Sequence, residues 1–226
     1  MVPGARETFQ EEYFIQSDLL RGFVREIRDI AAGAATPAAA LGSMRGPFRR
    51  LLADQAWLPE KFRLPAEKSG MGGGIGTWLL YRAADRSLSL SSLVVVPGAV
   101  TPVHDHLAWG LVGLYAGTQE ECVYRETRTT EDGRCELELV ATRQLSTGDF
   151  YELLPPENDI HSVRTTSRIP SVSLHLLGRD IGCVWRHQYQ PEHNTVRPFR
   201  SGYTNAPCEE GPHRDLNKQQ ALRRPS

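Results

Sequence analysis

Two histidines separated by one residue form the pattern in this chain that most clearly suggests chemistry. His104 and His106 flank Asp105. Side chains two positions apart on a β-strand point to the same face, so both imidazoles can face one metal ion while Asp105 points away. Imidazole is a common protein ligand for first-row transition metals. The pattern therefore predicts a metal site on His104 and His106 in which Asp105 is not a ligand.

A third ligand has two candidates further along the chain. His161 begins a β-like run just after a turn, and His175 lies inside the run SVSLHLLG. His187 has arginine and aromatic neighbours, which fit a surface strand, and no direct chemical role is expected for it. The residues alone leave the choice between His161 and His175 open.

The residues around the histidine pair resemble the first motif of the cupin superfamily. Segment 98–117, GAVTPVHDHLAWGLVGLYAG, has the glycine and histidine spacing of that motif, with Gly110 where many cupins have a glutamate. The second cupin motif is matched loosely over residues 148–161. The resemblance implies a small β-barrel in which His104, His106 and His161 form a three-histidine site.

A series of short blocks narrows this resemblance. In order they are TPVHDH, a WG pair, DIHSV, SVSLHLLGRDIGCVWR and FRSGYTN, and the resemblance covers about residues 79 to 205. The series is similar to the cysteine dioxygenase family, and most to its bacterial branch that oxidises 3-mercaptopropionate. The resemblance implies that the three histidines bind Fe(II). It also implies that O2 converts a small thiol to a sulfinic acid.

Further residues receive roles through this resemblance. The family's Ser-x-His-x-Tyr row reads Ser173, His175 and Leu177 here, so the tyrosine hydroxyl is missing. The row either lines the substrate pocket or is a buried pair that satisfies its own hydrogen bonds. Arg186 corresponds to the arginine that the 3-mercaptopropionate branch places near the substrate carboxylate, and the alternative is an ordinary surface arginine.

The cysteine-specific branch has an arginine on an early strand, where this chain has Thr77 and Trp78. The resemblance therefore implies that these two residues lie beside the substrate without contributing a charge. That branch also joins a cysteine to the tyrosine through a thioether. Neither partner is present at Gly110 or Leu177, so no crosslinked cofactor is expected.

Three functions remain open at this point. The first is an Fe(II)-dependent thiol dioxygenase. The second is another oxidation or rearrangement of a sulfur compound at the same site with Fe(II), Ni(II) or Mn(II), since imidazole binds all three. The third is a non-catalytic cupin that binds a small ligand. Three histidines leave coordination positions open, which favours an enzyme over a closed structural site.

The elements that must position these residues fall into two parts. Apolar periodicity predicts helices over 8–32 and 47–57, joined by a low-complexity connection over 31–40. Short β-rich runs follow, with a hairpin turn at 131–133, and predict a mainly β fold with a single small barrel or jelly roll. The runs are 77–82, 87–96, 111–116, 120–127, 135–144, 149–154, 171–177 and 182–188. The predicted division is a helical extension packed on the barrel (1–75), a cupin barrel with the metal site (76–206) and a mobile C-terminal tail (207–226).

Composition limits the partners. The 226 residues carry a net charge of −1, a balance that is not typical of nucleic-acid binding. No apolar run reaches the roughly 20 residues of a membrane helix, and the first residues lack the apolar core of a secretory signal. Four widely spaced cysteines predict reduced thiols in a cytoplasmic protein. The expected partners are a small thiol and O2, with neither nucleic acid nor membrane, and a homo-oligomer is left open.

Overall fold

The computed structural model describes residues 10–130 and 134–208. It has two α-helices, α1 (Asp18–Gly33) and α2 (Pro37–Ala53), and short 3-10 turns at Glu60–Arg63 and Pro191–His193. The described part of the chain contains twelve strands: β1 (Glu12–Tyr13), β2 (Ile75–Arg82), β3 (Ser89–Val95), β4 (Val103–His104), β5 (Gly110–Ala116), β6 (Thr118–Thr129), β7 (Cys135–Ser146), β8 (Phe150–Leu153), β9 (Ile160–Thr165), β10 (Ser171–Leu177), β11 (Arg186–Gln190) and β12 (Thr195–Phe199).

The strands form two sheets of six strands each. Sheet A has the order β1-β2-β3-β10-β5-β8, and sheet B has the order β12-β11-β4-β9-β6-β7. Neighbouring strands in both sheets run antiparallel. The prediction of a mainly β chain with N-terminal helices is confirmed, but the strands form two separate sheets instead of one closed barrel.

Helix α1 begins ten residues later than the apolar periodicity predicts. Ser17 caps it, because its hydroxyl accepts a hydrogen bond from the backbone N–H of Leu20, and the residues before it already belong to sheet A through β1. The buried side chains of α1 recur three and four positions apart: Leu20, Phe23, Val24 and Ile27. This spacing gives the helix one apolar stripe against the sheet.

Residues 37–40 of the segment that the sequence suggested as a connection belong to helix α2, and residues 31–33 belong to α1. Thr36 caps the helix by accepting from the N–H of Ala39, and Pro37 takes the first helical position, where its missing N–H costs nothing. Alanine has the highest helix propensity, so the alanine-rich run continues the helix. The predicted start at residue 47 and the predicted connection over 31–40 are therefore wrong.

Both helices belong to one hydrophobic cluster with the outer face of sheet A. On β10, Leu174 and Leu176 lie in this cluster, whereas His175 and Leu177 point the other way, toward sheet B. Strand alternation thus separates the residues of the helix-facing core from those that face the space between the sheets. Trp78 follows the same rule: it packs against the helical side, with its indole N–H donating to the carbonyl of Leu64.

The C-terminal segment returns to sheet A. Thr204 and Asn205 hydrogen-bond the backbone of β2 at Thr77 and Leu79, and Cys208 forms a disulfide with Cys183. The prediction of four reduced thiols is therefore wrong, while Cys122 and Cys135 are free. Sequence spacing did not reveal this pair because the fold brings together positions 25 apart.

Two predicted features fall outside the described residues. The hairpin turn at 131–133 is one, although β6 and β7 on either side of it pair as a hairpin would. The tail beyond residue 208 is the other. Within the described residues, no helix is both long and apolar enough to cross a membrane.

Candidate metal centre

Three histidines meet on the inner face of sheet B. His104 on β4 and His161 on β9 are direct partners across the two strands, and His106 follows just past the end of β4. The ring centroids are 5.0 Å apart for His104 and His106, 5.0 Å for His104 and His161, and 4.8 Å for His106 and His161. One ring nitrogen from each histidine lies within 4.8 Å of the others. The structure therefore brings together the three residues that the cupin resemblance implied.

Each of the three rings uses its Nδ1 in a hydrogen bond with the protein. The partner of His104 is the carbonyl of Pro102 at 2.8 Å, and that of His106 is the carbonyl of Asp159 at 3.0 Å. The partner of His161 is a carboxylate oxygen of Glu121 at 2.8 Å. Acceptors at all three Nδ1 atoms select the tautomer with its lone pair on Nε2. All three rings are thereby prepared to ligate through Nε2.

A carboxylate beneath the His-Asp-His turn holds His106 in place. Strand β4 ends at His104, so His106 is not positioned by strand alternation as the sequence suggested. Instead, Asp159 Oδ1 accepts from the backbone N–H of His106 at 2.9 Å and of Leu107 at 3.2 Å. Leu107 has a left-handed φ of 53°, which these hydrogen bonds help to maintain.

All three rings are buried, and His104 and His106 favour the neutral state. His104 and His106 are each 2% exposed, and His161 is 1% exposed. Burial lowers the pKa of His104 well below its ordinary value, and the charge of Arg186 lowers it further. Burial also lowers the pKa of His106, against the opposing effect of the nearby Asp159 carboxylate, which favours the charged imidazole. Neutral imidazole is the form that ligates, so this donor set fits a first-row divalent metal.

Glu121 was not singled out from the sequence. Its carboxylate is fully buried and also accepts from Arg143 at 3.2 Å, while the Tyr151 hydroxyl lies 3.2 Å from His161 Nδ1. Burial would raise the pKa of Glu121, but His161, Tyr151 and Arg143 together lower it. The available signal was alternation on β6, where Gln119, Glu121 and Val123 are the inward positions.

Asp105 points away from the ligands, as predicted. Its carboxylate accepts from the His187 backbone N–H at 2.8 Å, from the Tyr189 hydroxyl at 3.2 Å, and lies 2.6 Å from His187 Nδ1. His187 is only 5% exposed, so its predicted place on a surface strand is wrong. The Asp105–His187 pair therefore links β11 to the segment that carries His104 and His106.

A small cavity lies between the sheets beside His104 and His106. Its apolar wall consists of Met71, Leu93, Leu177 and Ile181, and its polar wall includes Thr77, Ser91, His175, Arg186 and Ser201. Leu177 pairs directly with Gly110 across β10 and β5, and a Cβ at Gly110 would lie 2.4 Å from Leu177 Cδ2. The leucine therefore occupies the space over this glycine.

Arg186 contributes a buried positive charge to the cavity. It is 3% exposed, so the alternative of a surface arginine is wrong. Its guanidinium donates to the backbone carbonyl of Asp105 at 2.8 Å and to the Ser201 hydroxyl at 3.0 Å, while its Nε has no hydrogen-bond partner. Burial lowers the pKa of Arg186 to about 10, so the group is still a cation at neutral pH. None of the described residues that line the cavity is acidic.

The other predicted pocket residues divide between the two faces of sheet A. Ser173 Oγ lies 3.0 Å from His175 Nε2, and His175 lines the cavity. Burial, and after it the proximity of the His106 and His161 imidazoles, lowers the pKa of His175 well below its ordinary value. Thr77 also lines the cavity and has a buried hydroxyl without a partner. Trp78 lies on the opposite face, away from the cavity.

No protein-family model matches the chain. Several solved structures resemble it over about half of its length. An oxalate decarboxylase from Lactobacillus farciminis, solved as a formate complex, is 15% identical with a TM-score of 0.39; the match covers 50% of this chain and 31% of that one. A double-stranded β-helix protein from Klebsiella pneumoniae is 11% identical with a TM-score of 0.39, covering 54% and 81%. The cupin domain of Schizosaccharomyces pombe Cnp3 is 12% identical with a TM-score of 0.36, covering 49% and 68%.

Proposed function

We propose that this chain is a single cupin that binds Fe(II) through His104, His106 and His161 and oxidises a small carboxylated thiol to its sulfinic acid. The observation that carries the proposal is the set of three buried imidazoles, each with its Nδ1 already hydrogen-bonded. When bound, Fe(II) supplies the redox chemistry for the overall reaction RSH + O2 → RSO2H, in which both oxygen atoms end on sulfur.

Arg186 is the residue proposed to bind the substrate carboxylate. The guanidinium is buried, its Nε–H has no partner and no acidic residue among the described ones lines the cavity. A bound anion would supply the missing acceptor and would add to the opposite charge of Asp105 and Asp159. The planar fork of arginine matches a carboxylate well. An ammonium group would find no such partner in this wall. The proposal therefore ranks 3-mercaptopropionate-like acids above cysteine-like amino acids.

The other cavity residues have supporting roles in this proposal. Leu177 and Ile181 keep water from the space beside His106, which strengthens the attraction between Arg186 and an anion. His175, held by Ser173, presents a neutral imidazole that hydrogen-bonds a polar group of the substrate. The unpartnered hydroxyl of Thr77 offers a further hydrogen bond on the same wall.

The proposal is tested by metal analysis followed by oxygen uptake. Protein reconstituted with Fe(II) without oxygen is expected to hold one ion per chain. It should consume O2 with 3-mercaptopropionate more efficiently than with cysteine, cysteamine or mercaptosuccinate. His104→Ala should abolish both metal retention and oxygen uptake. A reconstituted iron protein that consumes no oxygen with any thiol in this panel would end the dioxygenase proposal.

One observation favours a second candidate function. Leu177 stands where the family that the sequence resembles has a tyrosine, so the cavity beside the metal site lacks a phenolic hydroxyl. Another oxidation or rearrangement of a sulfur compound, with Fe(II), Ni(II) or Mn(II), would use the same ligands. Identification of the bound metal, together with the mass of the product, distinguishes the two candidate activities. A stable metal-free protein that binds small ligands would favour a non-catalytic cupin instead.

The proposal also covers the parts of the chain, its partners and its location in the cell. The extension over 1–75, the cupin unit over 76–206 and the tail over 207–226 are proposed as the functional parts of the chain. The proposed partners are a thiol and O2, without nucleic acid or membrane, and self-association into a homo-oligomer is compatible with the proposal. A cytoplasmic location is also proposed. The Cys183–Cys208 disulfide would be unusual there, because such bonds are rare where thiols are kept reduced, so the redox state of this pair in cells tests the location.

A further inference from the structure

The three proposed ligands differ in the group that accepts the hydrogen bond from Nδ1. His104 and His106 direct Nδ1 at backbone carbonyls, which are neutral acceptors. His161 alone among the three directs Nδ1 at a hydrogen-bonded carboxylate, that of Glu121, at 2.8 Å. The carboxylate of Asp159 lies 3.7 Å from His106 Nδ1, beyond hydrogen-bond distance, and its oxygens accept backbone N–H groups.

We infer that Glu121 is a charged positioning residue that makes His161 the strongest electron donor of the three ligands. An ionised acceptor polarises the Nδ1–H bond more than a carbonyl does, and the opposite nitrogen of the ring becomes a better donor to the metal. The inference rests on the proposed metal site. It adds that the site is electronically asymmetric, with one ligand that carries part of the carboxylate charge.

The surroundings of Glu121 support this role. Its side chain has no solvent exposure, so water does not screen its charge from His161. The side chain of Arg143, which is 32% exposed, reaches the second carboxylate oxygen at 3.2 Å from the solvent side. Arg143 thus fixes the rotation of the carboxylate while leaving Oε1 directed at the imidazole. A buried acid held in this way directs its charge at a single ligand.

The test compares metal binding by the full-length wild type and by Glu121→Gln. Glutamine keeps the shape and an acceptor oxygen but removes the charge. The affinity for Co(II), measured by competition with a chromogenic chelator, is expected to fall about 10- to 100-fold. In the iron-loaded protein, the midpoint potential of the Fe(III)/Fe(II) couple should move in the positive direction, because less negative charge reaches the ion. A merely structural role would leave the potential unchanged.

Asp180→Asn is the matched control. Asp180 is also a buried acid paired with an arginine, Arg82, but it contacts none of the three histidines in any described hydrogen bond. Its Co(II) affinity should equal that of the wild type. If the wild type binds Co(II) and Glu121→Gln binds it equally well at an unchanged potential, the role of Glu121 is refuted. If the wild type itself binds no metal, the proposed metal site fails.

A second measurement needs no variant and applies even if Glu121→Gln does not fold. In zinc-loaded wild-type protein, the Nδ1 proton of each ligand histidine is observable by nitrogen-edited proton NMR. The proton of His161 should resonate furthest downfield, because a hydrogen bond to a carboxylate deshields it more than one to a carbonyl. Equal shifts for the three protons would overturn the inference.

Discussion

At the scale of residues, the three ligand histidines all have a hydrogen-bond partner at Nδ1, whereas two polar atoms of the cavity residues have no partner. His104, His106 and His161 each have an acceptor at Nδ1, whereas Arg186 Nε and Thr77 Oγ1 have none. The histidines followed from sequence pattern and resemblance. Glu121 and Asp159 did not, because they lie 40 and 53 positions from the ligands whose hydrogen bonds they accept, and only the fold brings them there.

Replacement of Arg186 by glutamine should weaken binding of the carboxylated substrate. Hydrogen bonds to a charged group contribute about 1.5–3 kcal/mol, so kcat/KM for 3-mercaptopropionate should fall roughly 10- to 100-fold, mainly through KM. Steady-state oxygen uptake measures this change. Arg197→Gln, on the exposed side of the neighbouring strand β12, serves as the control and should have no effect. Equal losses for thiols without a carboxylate would contradict a role in carboxylate binding.

The metal-free protein should lose stability as pH falls below about 6.5. The unfolded chain takes up protons at His104, His106 and His175 near the ordinary histidine pKa, while the folded protein resists them because burial lowers the three pKa values. The unfolded state then binds more protons, and the free energy of unfolding decreases with decreasing pH. Thermal unfolding between pH 7.5 and 5 tests this trend. His175→Gln should flatten the profile, and a melting temperature that rises toward pH 5 would contradict it.

At the scale of elements, the two faces of sheet A have different roles. One face packs on α1 and α2, and the other lines the cavity, and strand alternation assigns each residue of β10 to its side. The β-rich region and the direction of the Ser173, His175 and Leu177 row were predictable because a period of two is local. The start of α2 was not predicted, because its alanine-rich first turns lack the apolar spacing that indicates a helix.

Gly113 on β5 leaves little room for a side chain. A Cβ there would lie 2.5 Å from Leu52 and 2.7 Å from Phe48, both on α2. Gly113→Ala should therefore lower the free energy of unfolding by about 1–3 kcal/mol through overpacking. Gly42→Ala, at an exposed position of the same helix with open space around it, is the control and should stabilise by roughly 0.5–1 kcal/mol. Urea denaturation compares the two, and equal effects would show that the helix does not press on β5.

At the scale of the whole molecule, the C-terminal segment closes the structure around the cavity. Ser201 in this segment lines the cavity and holds Arg186, and Cys208 ties the segment to Cys183 on the loop between β10 and β11. The two sheets and this segment together surround the cavity, and the helical layer covers the outer face of sheet A. The pairing of these cysteines was not predictable, because a disulfide depends on the distance between Cα atoms and not on spacing along the chain.

Reduction of the Cys183–Cys208 disulfide should destabilise the protein. Closing a loop with a sequence separation of 25 removes chain entropy equivalent to about 3 kcal/mol from the unfolded state. Chemical denaturation with and without a thiol-free reductant should show a loss of that order. Cys183→Ser should reproduce it, and Cys122→Ser should not. Four free thiols in alkylated protein taken directly from cells would contradict the bond and support the cytoplasmic location.

The central claim is that a three-histidine metal site directs both atoms of O2 onto a thiol. The most direct test is the mass of the product formed from 3-mercaptopropionate by the Fe(II)-loaded protein under 18O2 in ordinary water. The account predicts a sulfinic acid in which both added oxygen atoms are 18O, and no product from His161→Ala. A disulfide as the sole product, or a sulfinic acid with oxygen from water, would contradict it.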